Sequence, residues 1–227
     1  MRHLKRHVFF PIAVPLFAVG IVIGSATPAM PQESPPPAIA VARDPAALRQ
    51  DMRQLWSERT ISFRQDIVYP AADFPEQRPR MKSLIENQRA VGEVVTPFYG
   101  EAVGDRLAYL LQDQLAIMAR LSIALGTEDS AAFYREKDNL HANADEVAAL
   151  LSDADPKAWP LAGTTLLLQS HAELMLADAV AYVGSGDSAA SAATWQRLYD
   201  SSQSLADRLS DALIGRSRQE REAAPPT

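Results

Sequence analysis

The chain has 227 residues, of which 47% are hydrophobic and only 7% aromatic, and it carries a formal net charge of −6 with no cysteine. Aliphatic side chains must therefore build the core, which favours helices and argues against an all-β fold. The lack of cysteine excludes disulfides, thiolate metal sites, cysteine-attached haem and lipid-modified cysteines. The excess of acidic residues argues against nucleic acid or anionic lipid as partner, because both bind to clusters of Lys and Arg.

The first 29 residues have the pattern of a signal peptide. Three basic residues within the first six positions precede an apolar run over 8–24, and small residues follow up to Ala29. An uncleaved N-terminal anchor is the alternative, and it would be the chain's only attachment to a membrane, although Pro11 and Pro15 weaken a bilayer helix. Cleavage would remove three of the 22 basic residues and none of the 28 acidic ones, which leaves a net charge of −9. We predict a periplasmic or secreted protein, or a membrane-anchored one that faces the periplasm.

The segment after the export signal predicts where folding begins. Residues 30–43 contain four prolines and little that could pack, which is typical of an extended spacer. Asp44 and Pro45 then form a helix start, with the carboxylate as N-cap and proline at the first helical position. We predict a helical domain over 44–216 and a disordered tail over 217–227.

Within the domain, apolar spacing and breaker residues predict a series of helices. The first helix is expected over 45–68, followed by a proline-rich loop and a helix over 80–96, which Pro97 and the glycines after it should kink or break. Regular apolar seams then predict further helices over 101–125, 130–152, 160–183 and 188–216. The short turns between them favour antiparallel neighbours.

Two stretches of the chain are alike and indicate an internal repeat. Each contains a helical run, a turn with Gly and Ser, a second helical run, and two aspartates seven residues apart. The aspartates are Asp138 and Asp145 in the first copy, and Asp200 and Asp207 in the second. We therefore predict an all-α up-and-down bundle of four main helices, built from a duplicated helical hairpin, with the N-terminal helix alongside.

Three polar residues occupy positions at which the spacing predicts burial. Gln114 and His171 fall at equivalent sites of the repeat, and Asp178 lies two turns after His171 on the same helix face. Burial of such groups without a partner costs on the order of a few kcal/mol, so each must be paired. Two interpretations stay open, namely a metal or ligand site inside the bundle and a satisfied polar layer that fixes helix register.

His141 lies between Asp138 and Asp145 on one face of its predicted helix. Such a cluster could bind a divalent cation or relay protons. However, the apolar spacing places the aspartates of both copies beside the core or in solvent, where pairing with arginine is the alternative. The candidate partners are basic residues on helices that are otherwise predicted to be buried: Arg59, Arg64 and Arg120.

Several motifs resemble a family of uncharacterised small helical proteins from bacteria, over most of residues 50–214. They are Leu55-Trp56-Ser57-Glu58-Arg59 with Arg64, Asn87-Gln88 with Gly92, Pro97-Phe98-Tyr99-Gly100, and Asn143-Ala144-Asp145-Glu146 with Leu150-Leu151-Ser152. That family carries Leu-Trp-x-x-His on its first helix, a later Trp-Thr-Arg, and further histidines on other helices. In this chain Arg59 and Gln114 stand where histidines are usual, while His171 matches.

The resemblance implies an inward role for Asp145 and, by repetition, for Asp207. It implies no known activity. Because most of the expected histidines are replaced, the resemblance argues against a shared multi-histidine metal site in this chain.

No catalytic constellation is present in the sequence, since Gly-x-Ser-x-Gly, His-Glu-x-x-His, paired Glu-x-x-His and phosphate-loop patterns are all missing. We therefore predict no metal or cofactor, and a non-catalytic binding, sensory or accessory module with an unknown protein or small-molecule partner. One alternative is a bundle that binds a metal or small ligand in its polar layer, and another is an enzyme with His171 or His141 as general base. The candidate ligand-binding residues are Gln114, His171, Asp178, Asp145, Asp207, His141, Arg59 and Arg64.

Overall fold

The computed structural model describes residues 44–66, 77–184 and 188–223, and these ranges are helical apart from short connections. The all-α class predicted from composition is confirmed. The six α-helices are α1 (Pro45–Asp66), α2 (Gln77–Tyr99), α3 (Glu101–Gly126), α4 (Ser130–Ala154), α5 (Leu161–Ala179) and α6 (Ser188–Ala223). A π-helical turn, Val180–Gly184, follows α5. The predicted export segment and spacer lie outside the described residues.

Aspartate side chains begin the helices at the positions where the sequence predicts caps. The carboxylate of Asp44 accepts the Ala46 N–H at 2.9 Å, which opens α1. Asp155 likewise accepts the Ala158 N–H at 3.0 Å in the short connection before α5. Because proline follows at position 160, α5 itself begins at Leu161.

The helices form a closed ring in which each one packs against the next along the chain and α6 returns to α1. Neighbours run antiparallel. Arg49 near the start of α1 bonds Asp211 late in α6, whereas Arg64 late in α1 bonds Ser191 early in α6. Within the described ranges, none of these helices is both long enough and apolar enough to cross a membrane.

The interior contains two apolar clusters, one at each end of the bundle. One includes Trp56 of α1 and Leu111 of α3, and the other includes Phe63 of α1 and Met118 of α3. The polar positions 59 and 114 fall between these pairs along their helices. A polar layer therefore separates the two clusters, and it is where the candidate site lies.

The sharp corner between α2 and α3 is made by glycine. Gly100 is the single residue between the two helices, with φ +90°, a conformation that residues with a side chain rarely adopt. Gly92 and Gly104 then let the helices cross closely, because a Cβ at Gly104 would lie 2.7 Å from the Gly92 carbonyl oxygen. Pro97 was expected to kink or break the helix, yet α2 continues through it to Tyr99.

The helix boundaries depart from prediction at two further places. The helix predicted over 160–183 changes from α to π geometry at Val180, and α6 continues to Ala223 where a disordered tail was expected from 217. The described residues thus contain six α-helices, and the arrangement of four main helices plus one stays a prediction.

Candidate functional site

Arg59 of α1 is a buried cation whose partners in the structure are all neutral. Its side chain is only 1% exposed, its Nε donates to Gln88 Oε1 at 2.8 Å, and its Nη2 donates to Gln114 Oε1. Its guanidinium carbon lies 5.5 Å from the centroid of the Trp56 ring. Burial lowers the pKa of Arg59 to about 10, so the group stays protonated at neutral pH. The polar layer therefore carries a positive charge that no carboxylate of the described residues balances.

His171 of α5 is the second polar group of this layer. Its ring is 3% exposed, packs edge-on to Trp56 with centroids 6.1 Å apart, and places Nδ1 3.0 Å from the Ser201 hydroxyl. Burial, and then the charge of Arg59, lower the pKa of His171 to about 3. The imidazole is therefore neutral at physiological pH.

A cavity of about 30 Å³ lies beside these groups. A water molecule needs about 10–15 Å³ of such space, so the cavity has room for roughly two water-sized groups. The wall is mainly aliphatic, with two tryptophans, a glutamine and a histidine as its polar members. The lining residues are Trp56, Leu107, Leu111, Gln114, Ala144, Val147, Leu151, Trp159, Leu168, His171, Leu205 and Leu209.

Two nitrogens of the lining residues have no hydrogen-bond partner among the described residues, namely the indole nitrogen of Trp56 and Nε2 of His171. The indole of Trp159 instead faces Tyr99: burial raises the pKa of Tyr99 to about 12, and a hydrogen bond from Trp159 opposes that rise. An indole nitrogen can only donate, and a buried donor without an acceptor costs about 1–3 kcal/mol. Trp56 and His171 line the same cavity.

The predicted pair Gln114 and His171 is thus brought together, since both side chains line the same cavity. The expectation that each must have a polar partner is also confirmed, by Arg59 for Gln114 and by Ser201 for His171. Asp178, the third residue of the predicted layer, does not line the cavity.

Asp178 instead forms an internal ion pair near the π-helical turn. Its carboxylate is fully buried, accepts the Thr194 hydroxyl at 3.1 Å, and lies 3.7 Å from Arg64 Nε. Arg64 also stacks on Tyr182 and Trp195, at 5.5 and 4.9 Å from their ring centroids. Burial raises the pKa of Asp178, while Arg64 opposes that rise. These two predicted site residues therefore form an ion pair with each other, and Oδ2 of Asp178 has no hydrogen-bond partner among the described residues.

The predicted cluster of His141 with two aspartates does not form. His141 Nε2 lies 2.7 Å from the carboxylate of Glu173 on α5, which also pairs with Lys137 at 3.1 Å. Asp138 and Asp145 are both exposed and neither bonds the imidazole. The two aspartates lie on a solvated face, as the apolar spacing predicts.

The inward role implied for Asp145 and Asp207 is wrong. Exposed Asp145 accepts a hydrogen bond of 2.7 Å from Gln169, and Asp207 binds Arg53 Nε at 2.5 Å on the bundle surface. The Arg53 guanidinium lowers the pKa of the Asp207 carboxyl. Pairing of Asp207 with an arginine is confirmed, although Arg53 is not among the predicted partners.

In the ranges that the structure describes, no three His, Asp or Glu side chains converge to hold a metal ion. The donor set at the cavity consists instead of indole, imidazole and carboxamide groups with a guanidinium behind them. Such a set is suited to a ligand that accepts hydrogen bonds.

Sequence reasoning missed Trp159, Gln88 and Ser201. Trp159 lies in the connection between α4 and α5, where helical periodicity does not predict whether a side chain points into the core. Gln88 is buried inside α2, and the only sequence signal for it was the Asn87-Gln88 motif of the resemblance. Ser201 is too small and too common in α6 to stand out.

Comparisons of the chain with models of protein families, with curated proteins and with solved structures find no match.

Proposed function

We propose that this protein is a non-catalytic binding module that encloses one small ligand in the cavity between Trp56, Trp159, Gln114 and His171. The observation that carries the proposal is the pair of buried nitrogens, Trp56 Nε1 and His171 Nε2, that lie on lining residues of one cavity and have no hydrogen-bond partner among the described residues. Native proteins pair nearly all such groups, so a cluster of exceptions points to a missing partner.

A purely structural polar layer is the competing interpretation. Such a layer stabilises a fold when all of its members are satisfied, and a partly satisfied layer is less stable than an apolar core. Here Arg59 and Gln114 satisfy each other, but the neighbouring indole and imidazole nitrogens do not take part. The incomplete pairing favours a ligand site over a register device.

Catalysis by the buried imidazole has little support. A general base works best when its pKa is near the operating pH. The pKa of His171 is lowered to about 3, which makes it a poor proton acceptor at neutral pH. His141 is half-buried and forms its contact with Glu173 on the surface.

A surface groove next to Trp159 offers a route by which a ligand could reach the cavity. This groove of about 650 Å³ is lined by Ala158, Leu167 and Arg208, among others. The guanidinium carbon of Arg208 lies 5.3 Å from the centroid of the Trp159 ring. Trp159 also lines the cavity, so it stands between the groove and the cavity. Movement of Trp159 and Arg208 would connect the groove with the cavity.

The proposal includes export and a duplicated origin. The signal-like segment over 1–29 supports a periplasmic location, where the module would sense or carry a solute. The duplicated hairpin would correspond to α3 with α4 and to α5 with α6, and the shared cavity position of Gln114 and His171 supports that correspondence. N-terminal sequencing of the protein from the periplasm would test the cleavage.

Tryptophan fluorescence provides the test of ligand binding. The chain has three tryptophans, and Trp195→Phe leaves only the two that line the cavity. We expect a saturable fluorescence change with at least one of four small probes, namely sodium formate, sodium chloride, formamide and methanol. Val147→Ile, which adds one methylene to the cavity wall, should abolish the change, whereas Val94→Ile, in the core but away from the cavity, should preserve it. The absence of saturation with every probe would contradict the proposed function.

A further inference from the structure

We propose that the ligand of this cavity is a small monovalent anion, such as a halide or formate. This inference rests on the proposed function and specifies the chemistry of its ligand. Three independent observations carry it, which are the charge of the layer, the hydrogen-bonding character of the lining and the size of the cavity.

The charge of the layer comes from Arg59. A buried cation is normally paired with a carboxylate, because an isolated charge in a low-dielectric interior is costly. Among the described residues, the partners of Arg59 are Gln88, Gln114 and the Trp56 ring. Gln114 and Trp56 also line the cavity. An anion in the cavity would therefore be separated from the guanidinium of Arg59 by these two side chains. A single negative charge would complete the missing ion pair.

The lining offers donors and almost no acceptors. The indole group of Trp56 only donates, and the oxygen of Gln114 already accepts from Arg59, which leaves the amide N–H groups of Gln114 to offer. His171 donates from Nε2 when its Nδ1 accepts the Ser201 hydroxyl. A water molecule in this cavity would lack acceptors for its own hydrogens, whereas an anion needs none.

The size of the cavity restricts the anion. A volume of about 30 Å³ accommodates a species similar to water, with one to about three non-hydrogen atoms. Sulfate, phosphate esters and larger carboxylates would need the wall to move. The aliphatic remainder of the wall suits a weakly hydrated ion, because it removes solvent without adding competing dipoles.

Formate and formamide form a matched pair for the test, since they have nearly the same shape and differ in charge. The full chain with Trp195→Phe is titrated with sodium formate, sodium chloride and formamide, with ionic strength held constant by sodium sulfate. We expect a saturable fluorescence change with formate or chloride and none with formamide. Equal saturation by formamide and formate would overturn the anion proposal and leave the ligand-binding function standing. The absence of saturation with all three would overturn the anion proposal, and the absence of saturation with methanol as well would overturn the ligand-binding function.

Gln114→Glu sharpens the result, because it places a carboxylate beside Arg59 with hardly any change in shape. This internal counter-ion should weaken formate binding by at least about tenfold. Gln169→Glu, on the surface of α5, is the matched control and should leave formate binding unchanged. Undiminished formate binding by Gln114→Glu would overturn the proposal. Arg59→Lys, which keeps the cation, provides a second variant that should still bind formate.

Discussion

At the residue scale, Arg59 and His171 show how two ionisable groups can share one interior in different charge states. The guanidinium keeps its proton despite burial because its ordinary pKa is so high. The imidazole beside it loses its proton, since desolvation and the neighbouring cation both disfavour a second charge. The layer therefore holds one positive charge over a wide range of pH.

The sequence predicts part of this site. Gln114 and His171 interrupt aliphatic seams, so their spacing alone predicts that they are buried and paired. Arg59 was recognised as a basic residue on a helix that is otherwise buried. Trp159 and Ser201 could not be predicted. Local periodicity does not tell which way a side chain in a short connection points, and it does not tell which residue a single serine contacts.

The Arg59 and Gln114 pair can be tested by stability measurements. Gln114→Leu leaves a buried guanidinium donor without its acceptor, and we expect a loss of about 1–3 kcal/mol in the free energy of unfolding. Arg59→Met combined with Gln114→Leu removes both partners and should be more stable than Gln114→Leu alone. Urea denaturation of both variants provides the measurement. A double variant less stable than the single one would contradict the assigned contact.

The depressed pKa of His171 predicts a pH dependence of stability. The unfolded chain binds a proton near pH 6.5, while the folded protein does so only near pH 3. The contribution of neutral His171 to the free energy of unfolding is therefore complete above pH 6.5. It is lost as the pH falls towards 3, by at most about 1.4 kcal/mol per pH unit.

Urea denaturation between pH 7 and pH 5 measures this loss above the range in which carboxylates titrate. His171→Gln should be less sensitive to pH over this interval than the unsubstituted protein. Parallel curves for the two proteins would show that His171 is not buried in its neutral form.

At the element scale, the helices are predictable where aliphatic seams are regular, and their ends are not. Pro97 was expected to disrupt α2, and the helix continues for only two residues after it, to Tyr99. The corner is made one residue after the helix end by Gly100. The π geometry after Ala179 has no counterpart in the apolar spacing.

The crossing of α2 and α3 predicts contrasting effects of alanine at two glycines. Gly92→Ala would press a Cβ against the Gly104 carbonyl and to within 2.9 Å of the Ala108 Cβ, so we expect a loss of about 1–3 kcal/mol. Gly215→Ala, inside α6 with nothing within 4 Å of its Cβ, should stabilise by up to about 1 kcal/mol. Chemical denaturation of the two variants measures both values. Equal effects would contradict the close crossing.

At the scale of the whole molecule, contact between α1 and α6 closes the ring. Two arginine pairs on the surface and an apolar seam beneath them both contribute to this contact. The general arrangement of antiparallel helices is predictable from short turns. Closure of the ring is not, because the first and last helices are far apart in sequence and only tertiary packing joins them.

The two kinds of contact between α1 and α6 should differ in strength. Asp207→Asn removes a partly exposed ion pair and should cost less than about 1 kcal/mol. Leu213→Ala, at a fully buried position of the same helix, should cost about 2–5 kcal/mol because it leaves a cavity. Thermal denaturation of both variants provides the comparison. A larger loss for Asp207→Asn would contradict the view that apolar packing holds the ring closed.

The central claim is that a small anion completes the buried polar layer, and a crystal structure grown in sodium bromide tests it most directly. Bromide scatters anomalously, so it is distinguished from water at the same position. We predict an anomalous peak within hydrogen-bonding distance of the nitrogens of Trp56 and His171. A water at that position, or an empty cavity with bromide bound only at the surface, would contradict the claim.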